Sequence, residues 1–208
     1  MQIRTKGYMK VLDLGSGSFK VTSEYLSFYL KDYVDFKKNI RIISVDKYLP
    51  ADINYDLDII PWKFCKPNSY DIVFASHFLE HSSDLISTMK EVHRVLKPGG
   101  ILFLRVPHFK HKGAFRDPTH KHFISWETFE YFEKENKFHA DFGFYFKILE
   151  RKFEYHDWKR KPINLRGMFF SLTYGKLLEW FANKFPLLYE QIPILFPIPD
   201  LVIIMKKV

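Results

Sequence analysis

Between Met9 and Val106 the apolar positions change period several times. Met9, Val11, Leu12 and Leu14 make a short, nearly continuous apolar run, broken by Asp13 and closed by Gly15 and Gly17. Such a run predicts a strand over residues 8–14 that is buried on both faces. From Phe19 to Lys38 the spacing becomes three, four and seven, with Val21, Tyr25, Phe28, Tyr29, Tyr33 and Phe36 on one stripe, which predicts a helix. Arg41–Val45 predicts a second strand ending at Asp46, Ala51–Leu57 a third and Tyr70–Ala75 a fourth. Ser82 and Ser83 are N-cap candidates for a helix with Leu85, Met89, Val92 and Leu96 on one face. Lys97-Pro98-Gly99-Gly100 ends that helix, and Ile101–Val106 forms a fifth strand. Strands alternating with helices predict an α/β sheet covered on both faces.

Beyond Val106 the pattern loosens. Pro107–Phe123 is polar and rich in His and Lys, as expected of a loop. Ser125 caps an expected helix through about Lys137, Phe142–Tyr155 alternates as a long strand, and Leu201–Met205 forms a final one. The order of long strand, excursion and short strand predicts an edge hairpin whose arms enclose an aromatic insertion, about 162–199. That insertion carries Phe169, Phe170, Tyr174, Trp180, Phe181, Phe185, Tyr189 and Phe196. No internal repeat is visible, so the chain reads as one domain over 1–208. Residues 1–107 form one half and 108–208 the other.

Composition adds limits. Aromatic residues are 18% of the 208, a high share, and no apolar run reaches the length of a membrane span. The N-terminal residues lack a signal-peptide pattern, and the single cysteine, Cys65, cannot form an internal disulfide. A cytoplasmic location is expected. The net charge of +8 is uneven: +2 over residues 1–104 and +6 over 105–208. The excess suits an anionic partner on the second half, or simply a solvated basic face.

Gly15-x-Gly17 after a buried strand lets a backbone approach a nucleotide-like ligand, because glycine has no Cβ and tolerates positive φ. The dinucleotide pattern G-x-G-x-x-G is incomplete, with Lys20 at its third position. This disfavours a NAD-dependent oxidoreductase. Asp46, at the end of the second strand, can accept hydrogen bonds from ribose hydroxyls or can serve as an ordinary strand-end turn residue.

Four segments in order make a resemblance specific: Val11-Leu-Asp-Leu-Gly-Ser-Gly17, Ile43-Ser-Val-Asp46, Tyr70–Ser76 with Leu79-Glu80-His81, and Arg94-Val-Leu-Lys-Pro-Gly-Gly100. Together they resemble class I S-adenosylmethionine-dependent methyltransferases over about residues 8–107. The resemblance implies a Rossmann-like, mostly parallel seven-stranded sheet with an antiparallel edge hairpin and helices on both faces, and S-adenosylmethionine as cofactor. It implies that Asp13, Gly15, Ser16 and Gly17 hold the methionine end and that Asp46 and Lys47 lie at the ribose. Asp56 and Leu57 fall beside the adenine, and Ser76 and His77 line the methionine and substrate side. Ser18 replaces a glycine common in the family. A non-catalytic cofactor-binding partner protein is the alternative function.

Methyl transfer needs an aligned acceptor and a group to take its proton when the acceptor is a hydroxyl or amine. His81, His108, Asp117 and His120 are the catalytic candidates, with His111 and His122 nearby in the histidine-rich loop. Asp117-Pro118-Thr119-His120 also resembles a segment of methyltransferases encoded with polysaccharide genes. His108-x-x-His111 and His120-x-His122 raise a metal site, but no cysteine joins them and no helix fixes their spacing, so no metal is expected. The expected acceptor is a small molecule, sugar or lipid-linked glycan, at oxygen or nitrogen. No nucleic-acid-binding motif is present. Arg160, Lys161, Arg166, Lys176 and Lys184 among the aromatics suit contact with an anionic membrane surface, while a cover for the sheet edge or a dimer contact is the plainer use.

Overall fold

The structure is a computed structural model that describes residues 7–37, 39–155, 175–192 and 197–208. Seven strands form one sheet: β1 Met9–Leu14, β2 Ile40–Asp46, β3 Ile53–Asn54, β4 Tyr70–Ser76, β5 Leu96–Pro107, β6 Phe146–Glu154 and β7 Asp200–Lys207. Their order is β3-β2-β1-β4-β5-β7-β6. The first five are parallel, and β7 runs antiparallel to both β5 and β6. The expected edge hairpin is therefore present, and both halves of the chain contribute to a single sheet.

The two-faced apolar runs explain the layers. Met9 and Val11 of β1 pack with Tyr25, Leu26, Tyr29 and Leu30 of α1 (Ser23–Leu30). Leu12 and Leu14 face the other way, toward Met89, Val92 and Val95 of α2 (Leu85–Val95). Each strand residue is thus buried whichever side it points to, which is why these runs lack strict alternation.

Several boundaries differ from the sequence expectations. The first helix spans eight residues, not twenty, because Thr22 caps it by accepting the Tyr25 N–H at 3.3 Å. The third strand shrinks to two residues: Asp52 accepts from both the N–H and Oγ of Ser44, at 2.8 and 2.7 Å, and turns the chain at that point. Asp84, not Ser82 or Ser83, caps α2, accepting the Ser87 N–H at 3.1 Å. Ser82 Oγ instead donates to the Leu79 carbonyl, and Ser83 binds Asp58. α2 ends at Val95, just before Lys97–Gly100 as expected, but this segment is not a separate turn. It opens β5, with Lys97 Nζ on the buried Asp71 carboxylate at 2.8 Å.

The helix expected from Ser125 to Lys137 is a short 3₁₀ turn, Thr128–Phe132, after the Ser125 N–H bonds to Thr128 Oγ1. A short helix, α3 (Gly113–Arg116), lies within the Pro107–Phe123 segment expected to be loop throughout. In the aromatic insertion, α4 (Lys176–Lys184) and α5 (Pro186–Gln191) cover part of β6. The Tyr189 ring stands 5.0 Å from Phe153, and Asn183 bonds both the N–H and the carbonyl of Phe153. Trp180, Phe181, Phe185 and Tyr189 belong to this cover. Phe169, Phe170, Tyr174, Phe196 and the cations Arg160, Lys161 and Arg166 lie outside the described residues.

Candidate active site

A cavity of about 640 Å³ opens at the carboxyl ends of β1, β2 and β4, where open α/β sheets place their ligands. The loop after β1 forms its floor. Gly15 and Gly17 both line it, with φ of +60° and +54°. A Cβ on Gly15 would stand 2.9 Å from Phe78 Cδ2, so β1 and the segment after β4 approach closely only because a glycine is there. Phe19, next to this loop, packs edge-on against Tyr25 at 5.4 Å, so its bulk turns into the α1 layer.

Asp46 ends β2 and lines the cavity. Its Oδ2 accepts the Gly17 N–H at 2.8 Å, and its Oδ1 accepts the N–H groups of Tyr48 and Leu49, each at 2.8 Å. Burial alone would raise its pKa; these backbone donors outweigh it and hold the carboxyl below its usual range. Asp46 is therefore both a turn-former and a cavity residue, and the two sequence readings coexist. Lys47 pairs with Asp56 at 2.8 Å, and that bond raises its pKa. Both line the cavity, with Leu57, Tyr48 and Tyr55 supplying apolar wall.

Three expected cofactor residues stand behind the lining. Asp13 is buried below the loop, where its Oδ2 accepts the Val21 N–H at 3.2 Å. Burial pushes its pKa up to about 7, against the lowering effects of that bond and of Lys20. Ser16 is buried; its N–H bonds the Val45 carbonyl, and its Oγ has no partner among the described residues. Ser76 ends β4, opposite Arg105 in the register with β5, and is not a lining residue. These three shape the cavity from behind. His77 does line it, at φ +54°, with its N–H on the Arg105 carbonyl at 2.8 Å.

The opposite end of the cavity is formed by His81, Ser82, Pro118, Thr119 and Lys121. Here the 3₁₀ turn Leu79–His81 meets the histidine-rich loop, joined by Lys121 and His122 N–H bonds to the Glu80 carbonyl. His81 Nδ1 lies 2.8 Å from Thr119 Oγ1, and Thr119 Oγ1 donates to Asp117 Oδ1 at 2.7 Å. Thr119 Oγ1 spends its proton on Asp117, so it accepts from His81 Nδ1–H, and Nε2 of His81 keeps the lone pair. Asp117 is exposed and acts through Thr119; the Thr119 hydroxyl and N–H hold its carboxyl below the usual range. His120 packs edge-on against His81, with ring centroids 4.6 Å apart, and its Nδ1 donates to the Ala114 carbonyl at 2.9 Å.

His108 is the correction. It is fully buried, with Nε2 2.8 Å from Glu190 Oε1 and its ring against Phe153 and Tyr189. It anchors α5 to the sheet and does not line the cavity. His111 and His122 are also tied locally, to the Gly113 N–H and the Ser82 carbonyl. The sequence reading also missed a buried network behind His77. Arg105, fully buried, donates to Asp200 Oδ2 at 2.8 Å, to Tyr29 Oη at 2.7 Å and to Glu154. Asp200 Oδ1 in turn lies 3.7 Å from His77 Nε2.

Residues 12–104, which supply the floor and one end of this cavity, match the family model described as a methyltransferase domain. Over those residues the chain is similar to class I S-adenosylmethionine-dependent methyltransferases. The match supports S-adenosylmethionine as the cofactor. The chain is 32% identical over 106 residues to the sterol 24-C-methyltransferase of Aspergillus fumigatus, covering 48% of this chain and 28% of that one. It is 32% identical over 95 residues to the demethylmenaquinone methyltransferase of Chlamydia caviae, covering 44% and 41%. It therefore spans less than half the length of these curated relatives. Among solved structures it resembles a SAM-dependent methyltransferase from Archaeoglobus fulgidus, with 21% identity, a TM-score of 0.51, and coverage of 97% of this chain and 87% of that one. At that identity the likeness is one of fold.

The residues present fit this cofactor. The Asp46 carboxylate is fixed by the N–H groups of Gly17, Tyr48 and Leu49 and lines the cavity, where it can meet a ribose hydroxyl. The glycine loop offers backbone without a Cβ, and Tyr48, Tyr55 and Leu57 offer the apolar wall an adenine requires.

Proposed function

We propose that this chain moves the S-adenosylmethionine methyl group to an oxygen or nitrogen of a small-molecule, sugar or lipid-linked glycan acceptor. One observation carries this reading: a single cavity runs from Gly15, Gly17 and Asp46 to His81, Thr119 and Lys121. Cofactor residues and one proton-accepting side chain, His81, line the same partly open cavity.

When bound, the cofactor supplies a methyl group on a sulfonium, already a strong electrophile. The protein's task is positioning and proton handling. The glycine loop and Asp46 orient the cofactor against the β1 and β2 ends. The Nε2 lone pair of His81 holds or deprotonates an acceptor O–H or N–H, with His120 packed edge-on against that ring just behind the lining. Thr119 and Asp117 fix the His81 ring from behind. Lys121, braced on Ser83 Oγ at 2.7 Å, adds positive charge suited to a phosphate-bearing acceptor.

Contact with an anionic membrane surface is part of the proposal for a lipid-linked acceptor. Leu177, Trp180, Leu187 and Leu188 of α4 and α5 are exposed, and the Lys184 ammonium lies 5.0 Å from the Trp180 ring. No helix among the described residues is long and apolar enough to cross a membrane. Incubation with methyl-labelled cofactor and panels of sugar phosphates, lipid-linked sugars and small amines tests the reading. Label transfer to one acceptor class supports it; label retained in the cofactor across all panels, with cofactor binding intact, favours the non-catalytic alternative.

A further inference from the structure

We propose that Glu80, His81 and His120 bind a divalent transition-metal cation at the acceptor end of the cavity. Glu80 is fully buried, and neither of its carboxylate oxygens has a hydrogen-bond partner among the described residues. The nearest cation-capable group, His77 Nδ1, stands 3.3 Å from Oε1 without hydrogen-bond alignment. A carboxylate removed from water in this way calls for a compensating positive charge.

Glu80, His81 and His120 each offer one ligand atom, and these atoms lie within 4.8 Å of one another. Two ligands of one tetrahedral zinc ion sit about 3.4 Å apart, so closure brings the most widely separated pair together by at most about 1.4 Å. The imidazoles are already set for ligation. Both direct Nδ1–H at an oxygen, His81 at Thr119 and His120 at Ala114, which leaves both Nε2 lone pairs available. Asp117 stands behind Thr119, so His81 is backed by a hydroxyl and a carboxylate. Outer partners of this kind fix ring orientation and ligand basicity at metal sites.

The donor set selects the ion class. Two neutral imidazoles and one carboxylate suit Zn²⁺, Mn²⁺ or Fe²⁺, whereas Ca²⁺ needs more oxygens and Cu⁺ needs sulfur. Three protein ligands leave coordination open, and His81 lines the cavity. An acceptor hydroxyl would fill the open position, oriented and made more acidic by the ion, which then replaces the His81 Nε2 lone pair as the group that holds the acceptor. That consequence rests on the methyltransferase reading; binding of the ion does not. The sequence offered a different set, the pairs His108/His111 and His120/His122, of which only His120 belongs to this cluster.

The test uses the full chain, stripped with a chelator, exchanged into metal-free buffer and titrated with Zn²⁺ against a chromophoric competitor. One equivalent should bind with sub-micromolar affinity. His120→Ala, at a partly exposed position, and Glu80→Gln should each weaken it at least about tenfold, and His139→Ala should leave it unchanged. Circular dichroism and calorimetry with S-adenosylmethionine on the same samples report folding and cofactor binding separately. Absence of a stoichiometric site, or a site that folded His120→Ala retains at parental affinity, overturns the proposal.

Discussion

The Gly17 amide donates to Asp46 Oδ2 across 2.8 Å, so the loop after β1 is tied to the end of β2 before any cofactor arrives. Asp46→Ala removes this acceptor along with those for Tyr48 and Leu49. The variant should lose about 1–3 kcal/mol of stability in urea. Its S-adenosylmethionine affinity should fall by about 1.5–3 kcal/mol, a factor of roughly 10–150. Calorimetry showing parental affinity would remove Asp46 from the cofactor site.

Asp13 makes stability depend on pH. Its folded pKa of about 7 lies above the ordinary aspartate value of about 3.9. Between those values the folded state holds a proton that the unfolded chain has released. Stability therefore falls as pH rises from about 4 to about 7, by an amount on the order of a few kcal/mol. Asp13→Asn keeps an oxygen for the Val21 N–H but cannot titrate. Its urea midpoints at pH 5 and pH 8 should converge relative to the parent's; a parental difference in the variant would assign the slope to other groups.

His108 and His81 should separate cleanly. His108→Ala opens a hole between Phe153 and Tyr189 and removes one of the two partners of Glu190 Oε1, the Trp126 N–H remaining, at a cost of roughly 2–4 kcal/mol. His81→Ala, at a partly exposed cavity position, should cost under about 1 kcal/mol in stability and abolish methyl transfer. Urea melts and initial rates on both variants check this. A His108→Ala protein as stable as the parent yet inactive would return His108 to the active site.

Arg105→Met should be severe. It leaves Glu154, Asp200 and the Tyr29 hydroxyl without their shared buried donor, at a cost of about 3–5 kcal/mol. Equilibrium unfolding measures it, and a loss under 1 kcal/mol would mean that the network contributes little.

The central strands were legible because both faces of each are buried, which leaves an apolar run that admits few other readings. The same holds for the glycine loop and for Asp46, whose neighbours in sequence carry their roles. Boundaries set by single side-chain bonds were not legible: Asp52 on Ser44 shortens β3, and Asp84 rather than Ser83 starts α2. The Arg105 network joins residues 49, 76 and 95 positions away, so no local pattern announces it. His108 misled because its position directly after β5 suits an active site, while the chain returning as α5 buries it. Glu80 lies inside Leu79-Glu80-His81, but only the fold shows that its carboxylate is buried without a hydrogen bond among the described residues.

The most direct test is a calorimetric titration of the unmodified chain with S-adenosylmethionine. One equivalent binding in the micromolar range or tighter, competed by S-adenosylhomocysteine and weakened in Asp46→Ala, is the result expected of the Gly15, Gly17 and Asp46 cradle. A folded chain that binds neither compound, or binds both equally well without the Asp46 carboxylate, would contradict it.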